Sequence, residues 1–263
     1  MKEFLLKKLK QYSSIASSPR NEEHFANFIQ EDFSTNTQEQ PEVSRKVYRN
    51  GKLYYYFLAK DLTQPYFFTV HLDRVRDYVN TIQDDGDFLV GQLDDIIGIA
   101  ILRYLYEQKI PLNILFTTVE EYADSWHQLE EIIKLYPKLR PISIDIDVFH
   151  GLDELVGDFI SLRDFDRIGK FDLPLVNELR NIAQEEKIPF CTNYNGWAFV
   201  ETACLEHHTG LKGAHIGIPI INYHSDKETA RWGTIFNCIK LTQLFIHKIT
   251  ERKVTHESYH KKV

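Results

Sequence analysis

The chain has 263 residues, of which 43% are hydrophobic and 13% aromatic, enough to bury a sizeable core. Its formal net charge is -7 with acidic and basic residues interspersed, which argues against a nucleic-acid partner. Three cysteines in no CxxC spacing argue against a disulfide framework or a thiolate metal site and favour free thiols. Because no apolar run reaches the length of a signal-peptide core or a membrane span, we expect a cytoplasmic protein with no membrane partner.

The N-terminal third of the chain predicts two amphipathic helices followed by a β-hairpin. Apolar residues recur at helical spacing in "FLLKKLKQYSS" and in "NEEHFANFIQEDF". Asn50-Gly51 then lies between two β-rich runs in "KVYRNGKLYYYFLAK", which is the strongest short-range signal for a hairpin. A short buried strand, "PYFFTVHLD", follows and ends in polar residues.

Predicted helices and strands alternate through the rest of the chain. The helices are expected at about 94–108, 125–135, 174–186, 197–208 and from about Lys227, and the strands at 112–118, 142–147, 188–192 and 216–221. This alternation predicts an α/β fold with a mostly parallel central sheet and helices on both faces. No internal repeat or linker interrupts it, so we expect one domain over residues 1–263.

Polar side chains follow five successive predicted segments. They are His71 and Asp73 after "FFTV", Asp94 and Asp95 after "GQL", Glu120 and Glu121 after "LNILFTTV", Asp145 and Asp147 after "ISI", and His224 after "IPIINY". One such residue alone is more often a helix cap or a surface group. Five together at the carboxyl ends of the strands, where α/β sheets bind ligands, predict a functional site.

The residue types in this set favour metal ions. Several carboxylates that converge at a buried rim repel one another unless a cation lies among them. Imidazole nitrogen with carboxylate oxygen suits zinc, cobalt or manganese, and the lack of thiolate ligands is typical of a catalytic site. His71 and Asp73 lie two apart on a strand and share a face, so Asp73 is placed to orient the imidazole. Glu120 and Glu121 point differently, so one can bind metal while the other acts as a base.

The ordered motifs "HLD", "GQLDDIIGIAIL", "TTVEEYAD", "ISIDID" and "INYHSDKE" resemble the dinuclear-metal aminopeptidases of the zinc-peptidase superfamily. Within that superfamily, the chain is most similar to the glutamyl aminopeptidase and endoglucanase-M-like family. Further similar stretches, among them "RIGKFDLPLVNELRNIAQEEKIPF" and "GAHIGIPIINYHS", extend the resemblance over most of the chain. The resemblance implies a three-layer α/β/α catalytic domain with two metal ions at the strand ends.

The resemblance also implies a role for each residue of the set. One metal ion would be held by His71 and Asp145, the other by Glu121 and His224, with Asp94 bridging both. Asp73 would orient the imidazole of His71, and Glu120 would be the general base that deprotonates a metal-activated water. Asp147 stays an alternative to Asp145 because the two share a strand face. We expect two divalent ions per chain, zinc first, with cobalt or manganese as alternatives.

Two departures from the family pattern bear on function. Too few residues separate His71 from Asp94 to hold the lid domain that the family often inserts there, so we expect a more open site or a different homo-oligomer. The glycine-rich Thr-Asp-Ala turn expected before the last strand is replaced by "NYNGWAFVETACLEHHTG", which affects substrate selectivity.

Three functions are compatible with these features. The first is an aminopeptidase that acts on short peptides, and the second is a deacylase of N-acyl amino acids that uses the same site. The third is a catalytically silent binding protein that has kept the fold. The retained base Glu120 favours an enzyme, whereas the altered turn at 193–203 favours the silent protein. A serine hydrolase is disfavoured because Ser143 lies inside a predicted strand with no nucleophile elbow.

Overall fold

The computed structural model of the protein describes residues 1–34, 41–149, 157–192 and 199–260, with side chains up to residue 251. The helices are α1 (Lys2–Ser13), α2 (Glu23–Ser34), α3 (Ile96–Glu107), α4 (Trp126–Leu135), α5 (Leu173–Glu185), α6 (Glu201–Thr209) and α7 (Trp232–His260). The strands are β1 (Val43–Arg49), β2 (Lys52–Ala59), β3 (Tyr66–His71), β4 (Gln83–Asp85), β5 (Phe88–Gly91), β6 (Asn113–Thr117), β7 (Arg140–Val148), β8 (Ile160–Ser161), β9 (Phe190–Cys191), β10 (Ala214–Ile221) and β11 (Glu228–Arg231).

All these strands join one mixed sheet. Its order is β1-β2-β6-β3-β7-β10-β11-β5-β4, and β8 pairs with β10 and with β9. The four central strands, β6, β3, β7 and β10, run parallel, whereas β1 and β2 on one side and β11, β5 and β4 on the other are antiparallel. The predicted α/β fold is therefore confirmed, with parallel pairing in the four central strands and in the short β8–β9 pair.

Helices cover both faces of the sheet, as predicted. The larger core packs α1, α2, α3, α5 and α7 against one face, and a smaller core packs α4 and α6 against the other. The central strands β6 and β10 are buried at every residue, which is why "NILFT" and "AHIGIPII" show no alternation of polar and apolar residues.

Two tight hairpins, β1–β2 and β4–β5, form the two ends of the main strand order, and only the first is predicted from the sequence. Asn50 and Gly51 join β1 to β2 with φ of 52° and 74°, the left-handed conformation expected for Asn-Gly. Gly86 joins β4 to β5 with φ of 64°. Asp85-Gly86 is also a strong hairpin signal, but the short and exposed β4 gives no hydrophobic pattern beside it.

The prediction of a C-terminal helix from about Lys227 is wrong at its start. Residues Glu228–Arg231 form β11, which pairs with both β10 and β5, and α7 begins at Trp232. Strand pairing overrides helix propensity here because Thr229 and Ala230 lie between β10 and β5, where their backbone groups can form hydrogen bonds with both strands. The predicted start of the preceding helix, at 197, lies outside the described residues; α6 begins at Glu201.

Two further features are the length of the described helices and the state of the three cysteines. Among the residues described, no helix combines the length and apolar character that a bilayer span requires. Cys191, Cys204 and Cys238 form no disulfide with one another. Burial raises the pKa of Cys238 to about 12, so this thiol stays protonated and packs as an apolar group.

Candidate metal centre

The parallel centre of the sheet brings the predicted site residues to one edge. His71 is the last residue of β3 and pairs with Thr117 at the end of the parallel strand β6. Glu120 opens a single 3-10 turn, Glu120–Tyr122, directly beyond β6. Asp145 lies near the end of β7, which runs parallel to β3 on its other side.

One half of the site joins His71 to two carboxylates. His71 Nε2 lies 2.8 Å from Asp94 Oδ1 and 3.7 Å from Asp145 Oδ1. Asp94 comes from the segment between β5 and α3, so three separate parts of the chain meet here.

The other half of the site joins His224 to Glu121. His224 Nε2 lies 2.9 Å from Glu121 Oε2 and 3.7 Å from Asp94 Oδ2. The two carboxylate oxygens of Asp94 thus face different histidines, Oδ1 toward His71 and Oδ2 toward His224. The structure brings all five predicted metal ligands into one continuous group.

The group is buried on one side and open on the other. The His71 and Asp94 side chains are 2% and 5% exposed, whereas the His224 side chain is 31% exposed. Burial raises the pKa of Asp94 well above its ordinary value, and the charge of Glu121 adds to the rise. Burial alone would lower the pKa of His71, but the neighbouring Asp94, Asp145 and Asp73 outweigh it and raise the pKa. Cations, whether protons or metal ions, are therefore strongly favoured here.

The residues fit divalent metal ions. Two overlapping groups, His71 with Asp94 and Glu121, and His71 with Asp95 and Asp145, each offer ligand atoms within 4.8 Å of one another. The buried Nε2 atom of His224 makes no hydrogen bond, although it lies 2.9 Å from a Glu121 oxygen. An unsatisfied imidazole nitrogen among carboxylate oxygens is the donor set that zinc, cobalt or manganese binds.

The Asp73 side chain bonds mainly to the 3-10 turn Glu120–Tyr122, the glutamate turn. Its Oδ1 accepts the backbone N–H of Glu120 at 3.0 Å, and its Oδ2 accepts that of Glu121 at 3.1 Å. His71 Nδ1 lies 2.8 Å from the backbone carbonyl of Asp73 and 3.6 Å from its Oδ1. Asp73 therefore orients the imidazole mainly through its main chain, while its side chain holds the turn that carries Glu120 and Glu121.

Asp145 and Asp147 share a face of β7 but have different partners. Asp147 forms an ion pair with Arg163 and lies 3.5 Å from His215 Nε2. It leans over β10, where a Cβ on Gly217 would meet its Oδ2 at 2.2 Å. Burial opposes ionisation of Asp147, but Arg163 and His215 outweigh it and lower its pKa. Of the two acids, Asp145 is the one beside His71.

Glu228 is a site residue that is not among those predicted from the sequence. Its Oε2 accepts the backbone N–H groups of Leu93 at 2.5 Å and Asp94 at 3.1 Å, and its Oε1 accepts that of His224 at 2.8 Å. One buried carboxylate thus joins the two segments that carry Asp94 and His224. Its position four residues after His224, in "HSDKE", was a usable signal.

Asp95 and Glu201 are two further acids beside the group. Asp95 caps α3 by accepting the Gly98 N–H at 3.1 Å, and it lies close to His71 and Asp145. Glu201, the first residue of α6, accepts a hydrogen bond from Thr117 Oγ1 at 2.7 Å, and burial raises its pKa to about 7. Residues 193–198 of the altered turn lie outside the described residues; among residues 199–203, Glu201 contacts the end of β6 through Thr117.

Several solved structures share this fold at low sequence identity. An aminopeptidase of the archaeon Desulfurococcus kamchatkensis is 11% identical, with a TM-score of 0.74 over 93% of this chain and 94% of the other. A TET aminopeptidase from Thaumarchaeota archaeon SCGC AB-539-E09 is 11% identical, with a TM-score of 0.72 over 93% and 99%. The TET1 peptidase of Pyrococcus horikoshii is 13% identical, with a TM-score of 0.68 over 91% and 98%.

Sequence comparison adds no relative. No protein-family model matches the chain, and no curated protein matches it either. At 11–13% identity the structural matches establish the fold alone, and the chemistry must be argued from the side chains at the site.

Asp145 and Asp147 offer a matched pair of substitutions. We expect Asp145→Asn to lower zinc affinity roughly tenfold or more, because Asp145 is the predicted ligand and loss of a ligand costs at least as much as loss of an outer-shell partner. Asp147→Asn should keep zinc affinity but lower the free energy of unfolding by roughly 1–3 kcal/mol, because it removes the charge of one of the two buried carboxylates beside Arg163. Calorimetric zinc titration and thermal unfolding of both variants measure these effects, and the reverse assignment would require the affinity loss in Asp147→Asn.

The raised pKa of Glu201 predicts a pH-dependent stability. Burial raises its pKa from 4.5 to about 7, so the native state binds this proton more tightly than the unfolded state between those values. The free energy of unfolding should therefore fall as pH rises through this window, by about 1.4 kcal/mol per pKa unit. In metal-free protein, Glu201→Gln should flatten the fall between pH 5 and pH 8. The exposed Glu3→Gln is the control, and equal pH curves for wild type and Glu201→Gln would contradict the prediction.

Proposed function

We propose that the protein is a metal-dependent aminopeptidase. The observation that carries the proposal is the position of Asp94, whose two carboxylate oxygens face His71 at 2.8 Å and His224 at 3.7 Å. A carboxylate that faces two separate ligand groups is arranged to bridge two metal ions. The fold shared with aminopeptidases supports the proposal.

Five residues would hold two divalent ions, for which zinc is the first candidate. They are His71 and Asp145 on one side, Glu121 and His224 on the other, and Asp94 between them. Bound ions of this kind polarise a substrate carbonyl and lower the pKa of a water molecule. The exposed side of His224 gives a substrate access to this group.

Glu120 is placed to move the proton. It is 8% exposed, it adjoins the ligand Glu121, and Asp73 fixes its backbone. Burial raises the pKa of Glu120 well above its ordinary value, which brings a carboxyl closer to the basicity that a general base needs at neutral pH. In the proposed reaction Glu120 takes a proton from the attacking water and gives it to the leaving amine.

The charge of the site favours a free N-terminus. Five carboxylates lie in the group, those of Asp94, Asp95, Glu120, Glu121 and Asp145, and their summed charge would exceed that of two divalent ions by one, so we propose that a substrate ammonium group is attracted there. A short peptide bound by its terminal amine would present its first peptide bond to Glu120, which leads to removal of single residues. An N-acyl amino acid lacks this ammonium, and the deacylase alternative therefore predicts the opposite preference.

Two proposals concern organisation. The segment between His71 and Asp94 forms the β4–β5 hairpin, and we propose that residues 1–263 act as one catalytic domain without an inserted lid. We also propose a homo-oligomer, because the Pyrococcus horikoshii TET1 peptidase assembles into a tetrahedron or a large octahedral shell.

The two adjacent glutamates give the sharpest test of the mechanism. Glu120→Gln should keep both zinc ions and lose at least roughly a hundredfold in kcat, the scale of general-base catalysis. Glu121→Gln should lose zinc affinity as well as activity. Zinc content by elemental analysis and rates on a panel of aminoacyl-anilides and N-acetyl amino acids measure both effects.

Each other outcome has a defined meaning. A wild type that binds no zinc, cobalt or manganese contradicts the metal assignment. A wild type that binds metal and hydrolyses only the N-acetyl amino acids supports the deacylase, and one that hydrolyses neither class supports the binding protein.

A further inference from the structure

The turn that carries Glu120 and Glu121 has an unusual backbone at both ends. Val119 has φ of 56° and ψ of 28°, and Ala123 has φ of 56° and ψ of 31°, both in the left-handed region. This conformation costs an L-residue roughly 1–2 kcal/mol and is least expected for a β-branched residue such as Val119. Something in the surrounding structure must hold Val119 there.

Four successive backbone N–H groups at this turn donate hydrogen bonds to side chains from other segments. Thr118 donates to Gln128 Oε1 at 3.0 Å, and Val119 donates to Glu22 Oε1 at 3.3 Å. Glu120 and Glu121 donate to the Asp73 carboxylate. Asp73 and Gln128 fix the two sides of the strained residue, and Glu22 is the group bonded to Val119 itself.

Glu22 is well fixed for this contact. It is 2% exposed and immediately precedes α2, where its carbonyl accepts the Ala26 N–H at 2.8 Å. The same Oε1 atom also accepts the Arg20 N–H at 2.8 Å. The carboxylate therefore links the N-terminal segment to the active-site turn, two parts of the chain that are far apart in sequence.

We infer that Glu22 is a positioning residue for the proposed metal centre: it holds Val119 in the left-handed conformation and so sets the directions of Glu120 and Glu121. If Val119 relaxed to an extended or right-handed conformation, the peptide group before Glu120 would rotate, and both glutamates would leave their places. The roles of base and ligand rest on the proposed function, but the backbone contact does not.

Glycine at position 119 provides a rescue experiment. Glycine adopts positive φ without the steric cost, so Val119→Gly should remove the need for Glu22. Ala123→Gly is the matched control, because Ala123 has the same φ at the other end of the turn and its N–H bonds to Glu120 within the turn. Both glycine variants relieve strain, but only one does so at the residue that Glu22 holds.

We expect Glu22→Ala to lower zinc affinity and kcat each by roughly tenfold or more, the range for loss of an outer-shell partner. Glu22→Gln keeps an acceptor oxygen and should stay close to wild type. Added to Glu22→Ala, Val119→Gly should restore zinc affinity to within about threefold of wild type, because it removes the strain at the residue that Glu22 holds. Added to Glu22→Ala, Ala123→Gly should raise Tm without restoring the zinc affinity. Zinc calorimetry, anilide kinetics and thermal unfolding provide the readouts.

The outcomes separate this inference from the proposed function. Wild-type zinc affinity in Glu22→Ala, or equal rescue by Ala123→Gly, overturns the positioning role. If the wild type binds no zinc, the proposed function fails. Amide hydrogen exchange of Val119 then still tests whether Glu22 holds the Val119 N–H. Protection lost in Glu22→Ala but kept in Glu22→Gln supports it, and equal protection in both overturns it. If Glu22→Ala does not fold, the double variants decide: folding restored by Val119→Gly but not by Ala123→Gly supports the inference, and restoration by neither or equally by both overturns it.

Discussion

Repulsion among buried carboxylates is the constraint on which the rest of the structure depends. Asp94, Asp95, Glu120, Glu121 and Asp145 converge at one edge of the sheet, with two imidazoles among them. Burial opposes the ionisation of Asp94, Asp95 and Glu120, and their mutual charges oppose it further. Such a group is stable only with cations, and a protein that builds it at the open end of parallel strands is suited to binding them.

A second set of acids holds the first in place. Asp73 accepts hydrogen bonds from the backbone N–H groups of the glutamate turn, and Glu22 accepts one from Val119. Glu228 accepts hydrogen bonds from the backbone N–H groups of Asp94 and His224. Each of these carboxylates bonds to main-chain N–H groups. The directions of the proposed metal ligands are thereby set by hydrogen bonds that do not compete for their side-chain oxygens.

The sequence was informative where the chemistry is local in the chain. Parallel strands end at one edge, so polar residues such as His71, Asp94 and Glu121 that follow successive strands could be grouped before their distances were known. The fold could be predicted from the alternation of helices and strands, apart from the short strands β4, β5, β8 and β11. At β11, pairing with two neighbours overrode helix propensity.

The site features that could not be predicted depend on contacts between segments that are far apart in the chain. The ion pair of Asp147 with Arg163 draws it away from His71, and the two acids of "DID" look alike without that partner. The contact of Glu22 with Val119 is equally invisible, because neither the left-handed backbone nor the meeting of α2 with β6 follows from local pattern. Glu228 was readable as a motif residue, but its role required β11.

The central claim is that Asp94 bridges two metal ions between two histidines. Anomalous diffraction from zinc-soaked crystals tests it most directly. The claim predicts two zinc peaks roughly 3.5–4 Å apart, one on the side of Asp94 that faces His71 and Asp145 and one on the side that faces His224 and Glu121. A single peak away from Asp94, or no peak at this edge of the sheet, would contradict it.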